Sequence, residues 1–155
     1  MRAHLFRLVQ LAVPLFLLTS AACPYSHLEG SIDSDLSLDF NQLRLRKQEA
    51  NLLIEYLRET RDGSEKVCKV VVDTEGLELP AGGSFDLGEE LFLDHVTLQR
   101  STFEGDEQFP AMEKGSMPFE EIDFRDDGFV KGSFEILFEG SRSLKGWFEG
   151  YLEEL

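Results

Sequence analysis

Histidine and carboxylate side chains are the residues of this chain that acid–base chemistry would use, and His95 directly follows Asp94. A serine-type triad needs a nucleophile, a base and an orienting acid in hydrogen-bond contact. Asp94 and His95 lie in a segment that we predict to be a strand, where adjacent side chains point to opposite faces. No G-x-S-x-G motif supplies a nucleophile. The sequence therefore predicts a protein that is not an enzyme.

Clustered acids are the other candidates for chemistry. They are Asp33 and Asp35; Glu104, Asp106 and Glu107; and Glu120, Glu121, Asp123, Asp126 and Asp127. Calcium takes six to eight oxygen ligands, and the first cluster lacks the glycine of an EF-hand loop. Paired carboxylates also hydrolyse glycosides, but only across a cleft of fixed width. We predict a solvated acidic surface that holds no metal and no cofactor.

The charge balance narrows the classes of partner. The chain has 155 residues, 30 acidic and 15 basic, with a formal net charge of −15. This balance argues against nucleic acid and anionic lipid as partners. Residues 44 to 69 nevertheless hold seven bases against five acids, and residues 73 to 139 hold four bases against eighteen acids. An ordinary mixed surface is the expected explanation of this asymmetry. The alternative is a basic hairpin that docks a partner or stacks copies head to tail.

Two aromatic residues near the end of the chain are candidates for binding. Trp147 and Tyr151 share one face of the last predicted strand, opposite Phe148 and Leu152. If the pair is exposed, it can stack on sugars or anchor a protein partner. The alternative is that the pair only covers the second face of the sheet and binds nothing.

The N-terminus has the layout of a secretory signal peptide. Arg2 and Arg7 precede an apolar stretch from Leu8 to Leu18, and small residues follow it. The stretch is shorter than the roughly 20 apolar residues of a spanning helix. An uncleaved anchor helix is the alternative. We predict a signal peptide at residues 1 to 22, a lipidated cysteine with its tether at residues 23 to 30, and a β domain at residues 31 to 155.

The run Leu18-Thr19-Ser20-Ala21-Ala22-Cys23 resembles the lipobox of bacterial lipoproteins. Ala21 and Ala22 match that motif, whereas Ser20 stands where leucine is usual. The resemblance implies that Cys23 is the lipidation site, bearing acyl chains such as palmitate on its sulfur and its amino group. Pro24 stands where aspartate would retain a lipoprotein on an inner membrane, which favours the outer membrane.

A second interpretation uses the same peptide bond. Ser20 and Ala22 also suit ordinary signal cleavage, and Cys23 is then free to form a disulfide with Cys68. The protein would be a secreted or periplasmic ligand-binding domain. With lipidation, the acyl chains alone hold the protein on the membrane. Removal of residues 1 to 22 takes away two arginines and no acid, so the net charge changes from −15 to −17. Repulsion between this charge and an anionic bilayer would hold the domain off the membrane surface, where it can reach a protein partner in the envelope.

The mature chain is predicted to be all-β, a single antiparallel sandwich or small barrel of about eight short strands. Alternating apolar residues occur at 36–40 and 43–46, and residues 67–72 form a strand buried on both faces. Residues 52–57 are predicted as its hairpin partner across Asp62-Gly63, although residues 47–59 also fit helical spacing. Strands are further predicted at 91–100, 119–124, 129–138 and 144–152, with irregular stretches at 74–90 and 101–118.

The pair Gly132-Ser133-Phe134 and Leu144-Lys145-Gly146-Trp147-Phe148-Glu149 resembles the C-terminal hairpin of many small β-rich bacterial lipoproteins. The resemblance covers about the last quarter of the chain and implies no activity. Gly132, Gly146 and Gly150 lie inside these strands, which indicates bulges or close contact between sheets.

Overall fold

The computed structural model describes residues 26–32, 36–103 and 108–154 of the chain. The predicted signal peptide and Cys23 lie outside these residues, as do the acids at 33, 35, 104, 106 and 107. The elements are β1 (His27–Ser31), β2 (Gln42–Gln48), β3 (Asn51–Thr60), β4 (Gly63–Asp73), β5 (Phe85–Leu87), α1 (Glu89–His95), β6 (Val96–Ser101), β7 (Met112–Ile122), β8 (Phe129–Phe138), β9 (Arg142–Tyr151) and β10 (Glu153–Glu154).

The strands form two five-stranded sheets that pack as a sandwich. The first sheet has the order β1-β9-β8-β7-β5, and the second has the order β10-β2-β3-β4-β6. All pairings are antiparallel except that of β10 with β2. The all-β prediction is confirmed, and of its two forms the sandwich is the correct one.

Period-two alternation builds β8 and β9 of the first sheet. On β8, Val130, Phe134, Ile136 and Phe138 are all buried between the sheets, as predicted. Leu144, Phe148 and Leu152 extend the same core from the neighbouring part of the chain. Alternation predicts these residues well because each of these strands has one face against the core and one face toward solvent.

The hairpin of β3 and β4 is confirmed, and the helical alternative at residues 47–59 is wrong. Leu52, Ile54 and Tyr56 face the sandwich core. Leu53, Glu55 and Leu57 point to the outer face, yet they too are buried. The prediction that residues 67–72 are buried on both faces is wrong, because Lys69 and Val71 on β4 are only partly buried. The strand buried on both faces is β3, because it lies at the centre of its sheet.

Two predictions on the N-terminal part are wrong. Residues 27–30, predicted as tether, belong to β1, which pairs with β9 so that His27 lies opposite Trp147. A single buried side chain, Leu28, gives this edge strand its only core contact, so its sequence carries little apolar signal. Residues 36–40 form no strand, although Leu36, Leu38 and Phe40 pack against the core.

The strand predicted at 91–100 is wrong in its first half, where α1 forms instead. Glu89 and Glu90 occupy the first turn, where negative charge stabilises a helix. Phe92 is fully buried, and a Cβ at Gly115 on β7 would overlap its ring. Gly115 therefore makes room for the helix against the first sheet. Only from Val96 does the predicted strand begin, as β6.

Both predicted irregular stretches contain strands. β5 lies within residues 74–90, and β7 begins at Met112 within residues 101–118. β5 has only three residues, and two register shifts interrupt the pairing of β7 with β8. Glycines and prolines in these stretches mark such shifts as readily as they mark loops.

Candidate binding surfaces

Cys23 precedes the first described strand by a short spacer. Three residues, Pro24, Tyr25 and Ser26, separate it from His27 at the start of β1. A fully extended chain advances at most about 3.6 Å per residue, so Cys23 lies within about 14 Å of His27.

Cys68, the other cysteine, lies in the sandwich core. It is a free thiol among the described residues and has no exposed surface. Burial raises its pKa to about 12, and the nearby Arg100 only partly opposes this shift. Burial likewise raises the pKa of Tyr56, whose hydroxyl donates a 2.9 Å hydrogen bond to the Trp147 carbonyl. A protonated thiol without access to solvent is a poor partner for a disulfide.

We expect Cys68 to make the protein less stable in alkali. In the unfolded chain the thiol ionises above about pH 9, whereas in the folded protein it stays protonated to about pH 12. Ionisation therefore stabilises the unfolded state, and the free energy of unfolding falls as pH rises through this window. Denaturant unfolding at about pH 8 and about pH 10.5 should show a loss about 2 kcal/mol larger in the parent protein than in Cys68→Ala. Equal losses in both proteins would contradict the burial of this thiol.

Trp147 and Tyr151 both lie on the outer face of the first sheet, as predicted. Tyr151 is 70% exposed and its ring lies 5.2 Å from that of Phe129, while the Trp147 ring lies 5.5 Å from His27. The sequence missed His27 as a neighbour of Trp147, because it placed His27 in the tether. Glu149 separates the two aromatic pairs along β9, so they are two small patches rather than one continuous surface.

The charges on this same face pair with one another. Lys145 binds Glu135 at 2.9 Å, and Lys131 binds Glu120 at 2.7 Å. The hydrogen bonds that the two ammonium groups donate to these carboxylates raise the pKa of both lysines above the usual range. The outer face of the first sheet therefore combines aromatic patches with two lysines that are already paired with carboxylates.

The outer face of the second sheet has the opposite character. Arg44, Arg46, Lys66 and Lys69 lie on it, and we call these four residues the basic face. Residues paired across neighbouring strands point to the same face. Arg44 and Lys69 pair with Glu55, and Lys66 pairs with Leu57, so all three point outward as Glu55 and Leu57 do. Arg44 lies only 3.7 Å from the exposed Glu153, and Lys69 has no acidic partner within the part of the chain that the structure describes. This face matches the predicted concentration of bases at residues 44 to 69.

A buried carboxylate lies at the centre of the basic face. Glu55 has no exposed surface, and its Oε2 accepts a 2.6 Å hydrogen bond from Arg46. Its Oε1 lies 3.8 Å from the Lys66 ammonium and accepts no hydrogen bond from any described residue. Sequence analysis missed this pair, because a glutamate in an alternating strand is typical of a solvent-facing position.

The third predicted acidic cluster does not converge on one point. Asp126 binds Lys47 at 2.7 Å, Glu120 binds Lys131, and Asp123 accepts a 2.7 Å hydrogen bond from Arg125 that lowers the pKa of its carboxyl group. Within residues 26–32, 36–103 and 108–154, no group of three His, Cys, Asp or Glu side chains is placed to hold a metal ion.

His95 has a structural contact. It is the last residue of α1, and its Nδ1 lies 2.8 Å from the carbonyl oxygen of Asp73 at the end of β4. The ring therefore connects the helix to the second sheet. The prediction that His95 lies on a strand is wrong.

The described residues contain no helix long and apolar enough to cross a bilayer. No protein-family model matches this sequence, and no curated protein or solved structure is detectably similar to it.

Proposed function

We propose that this chain is a bacterial envelope lipoprotein, anchored through Cys23, whose β-sandwich is a non-catalytic binding module. The observation that carries the proposal is the position of Cys23 directly after the small residues that end a signal-like segment. Acylation at this residue needs no partner from the folded domain, and the acyl chains supply the whole membrane affinity. An outer-membrane location is favoured by Pro24.

The burial of Cys68 supports lipidation over the disulfide alternative. A Cys23–Cys68 bond would have to bring Cys23 between the two sheets, next to Tyr56 and Arg100. Such an insertion would open a close-packed core at a cost in stability. Lipidation requires no change in the described fold.

The positions of the aromatic patches and of the basic face support a binding role. The aromatic patches at Trp147 and Tyr151 and the basic face lie on the outer surfaces of two different sheets. Flat sheet surfaces suit recognition of a protein partner better than enclosure of a small substrate. The short spacer after Cys23 would hold these surfaces close to the membrane, where envelope proteins are available as partners.

Cell fractionation of cysteine variants tests the anchor. We expect the parent protein in the membrane fraction and Cys23→Ser processed poorly or released, because serine offers no sulfur for the lipid. Cys68→Ser is the matched control, since it removes the other thiol and should leave the protein in the membrane fraction. A parent protein found in the soluble fraction, with both variants behaving alike, would favour the secreted alternative.

A further inference from the structure

The basic face is incompletely neutralised by the residues beneath and beside it. Its four cations share one buried carboxylate, Glu55, and one exposed carboxylate, Glu153. Arg46 Nε and Glu55 Oε1 are both buried, and neither forms a hydrogen bond with a described residue. This face therefore retains positive charge and unused hydrogen-bonding capacity on a molecule whose net charge is −15.

A complementary surface lies on α1. Leu91 and Leu93 are 43% and 44% exposed, and Glu90 and Asp94 are exposed beside them. With about 3.6 residues per turn, Glu90 and Asp94 stand on one ridge, opposite the buried Phe92, and the leucines flank that ridge. Of the helix acids, Glu89 alone has an ion pair among the described residues, with Lys114 at 3.9 Å.

We propose that α1 of one copy of this chain docks on the basic face of a second copy. Glu90 and Asp94 would pair with Lys66 and Lys69, and the two leucines would cover the aliphatic stems of the cationic side chains. Glu55 is a positioning residue here, since it holds Arg46 and draws Lys66 toward the sheet. Because the two surfaces are different parts of the chain, the contact is head to tail and leaves both surfaces available at the ends of an assembly.

The contact is expected to be weak and reversible. A helix of seven residues covers a small area, below that of a standard interface. Repulsion between the net charges of the two copies is screened beyond about 8 Å at physiological ionic strength. The attraction between the two docked surfaces acts over shorter distances and is screened less. Salt alone is a poor test, because it weakens this attraction and the overall repulsion together. The inference does not rest on lipidation, although a shared membrane would raise the local concentration.

Zero-length cross-linking locates the contact. Unlabelled protein and nitrogen-15-labelled protein, both isolated from cells, are mixed in equal amounts. The total protein concentration is about 1 mM, which populates weak complexes, and a carbodiimide is then added. If the protein carries acyl chains, it is dissolved in detergent with more micelles than protein molecules, so that two copies do not share a micelle. We expect peptides that join Lys66 or Lys69 of one isotope to Glu90 or Asp94 of the other. Absence of such mixed peptides, or joining only within one copy, would overturn the proposal.

Matched variants test the role of charge. Lys69→Gln removes one cation of the basic face without placing a like charge beside Glu55. Because it also removes one reactive amine, the yield is measured on peptides that join Lys66 to Glu90 or Asp94, and it should fall about fivefold to tenfold. Lys145→Gln makes the same change on the first sheet and should leave the yield unaltered. Equal yields from the two variants, both folded by circular dichroism, would show that the copies meet elsewhere.

Discussion

Replacing Arg46 with alanine is expected to lower the free energy of unfolding by about 3 kcal/mol, because it leaves a buried carboxylate without its hydrogen-bonded partner. Glu55 has no exposed surface, and the 2.6 Å bond from Arg46 is its only hydrogen bond to a described side chain. Lys66, at 3.8 Å, is close enough to compensate in part, so we expect the lower end of the range for such losses. Denaturant unfolding monitored by circular dichroism measures the change.

Arg44→Ala is the matched control for this prediction. Arg44 lies on the same strand and the same face, but its partner Glu153 is exposed and 3.7 Å away. Its removal should cost about 1 kcal/mol or less. The double variant Arg46→Met with Glu55→Leu should be at least as stable as the parent, since apolar residues can replace a buried ion pair. Equal losses from Arg46→Ala and Arg44→Ala would show that Glu55 is not buried.

Replacing Gly146 with alanine is the second large effect, expected to cost about 2 to 3 kcal/mol. Gly146 faces the core, where a Cβ would overlap the ring of Phe134 and lie 2.9 Å from Tyr56 Oη. The Tyr56 hydroxyl would have to move, which strains its hydrogen bond across the sandwich to Trp147. Thermal and denaturant unfolding of the variant measure the loss.

Gly88→Ala makes the same chemical change where there is room for it. A Cβ at Gly88 meets nothing within 4 Å, and its φ of −68° is open to any residue. This variant should lose less than about 1 kcal/mol. If Gly146→Ala is no less stable than Gly88→Ala, the two sheets do not approach each other as closely at Gly146 as the fold requires.

The sequence predicted those strands whose two faces differ. β8 was predicted with its observed bounds, because apolar and polar residues alternate along its whole length. α1 and β1 were missed for a physical reason. Each has a single buried side chain, Phe92 or Leu28, and one apolar residue defines no period. Tertiary contacts, such as the space that Gly115 leaves for Phe92, determine these elements.

The candidate surfaces divide in the same way. Trp147 and Tyr151 were correctly placed on one shared face, since their spacing by an even number fixes this on any regular strand. The concentration of bases at residues 44 to 69 was also visible. The burial of Glu55 was not, because it depends on Arg46 and Lys66, which reach it only through the register of three neighbouring strands.

The proposed function depends on a membrane anchor at Cys23. The intact mass of the mature protein recovered from cells tests it most directly. We predict the mass of a chain that begins at Cys23, increased by its acyl chains. A bare polypeptide two hydrogens lighter than its sequence would contradict lipidation, indicate a Cys23–Cys68 disulfide, and make a secreted binding domain the better account of this protein.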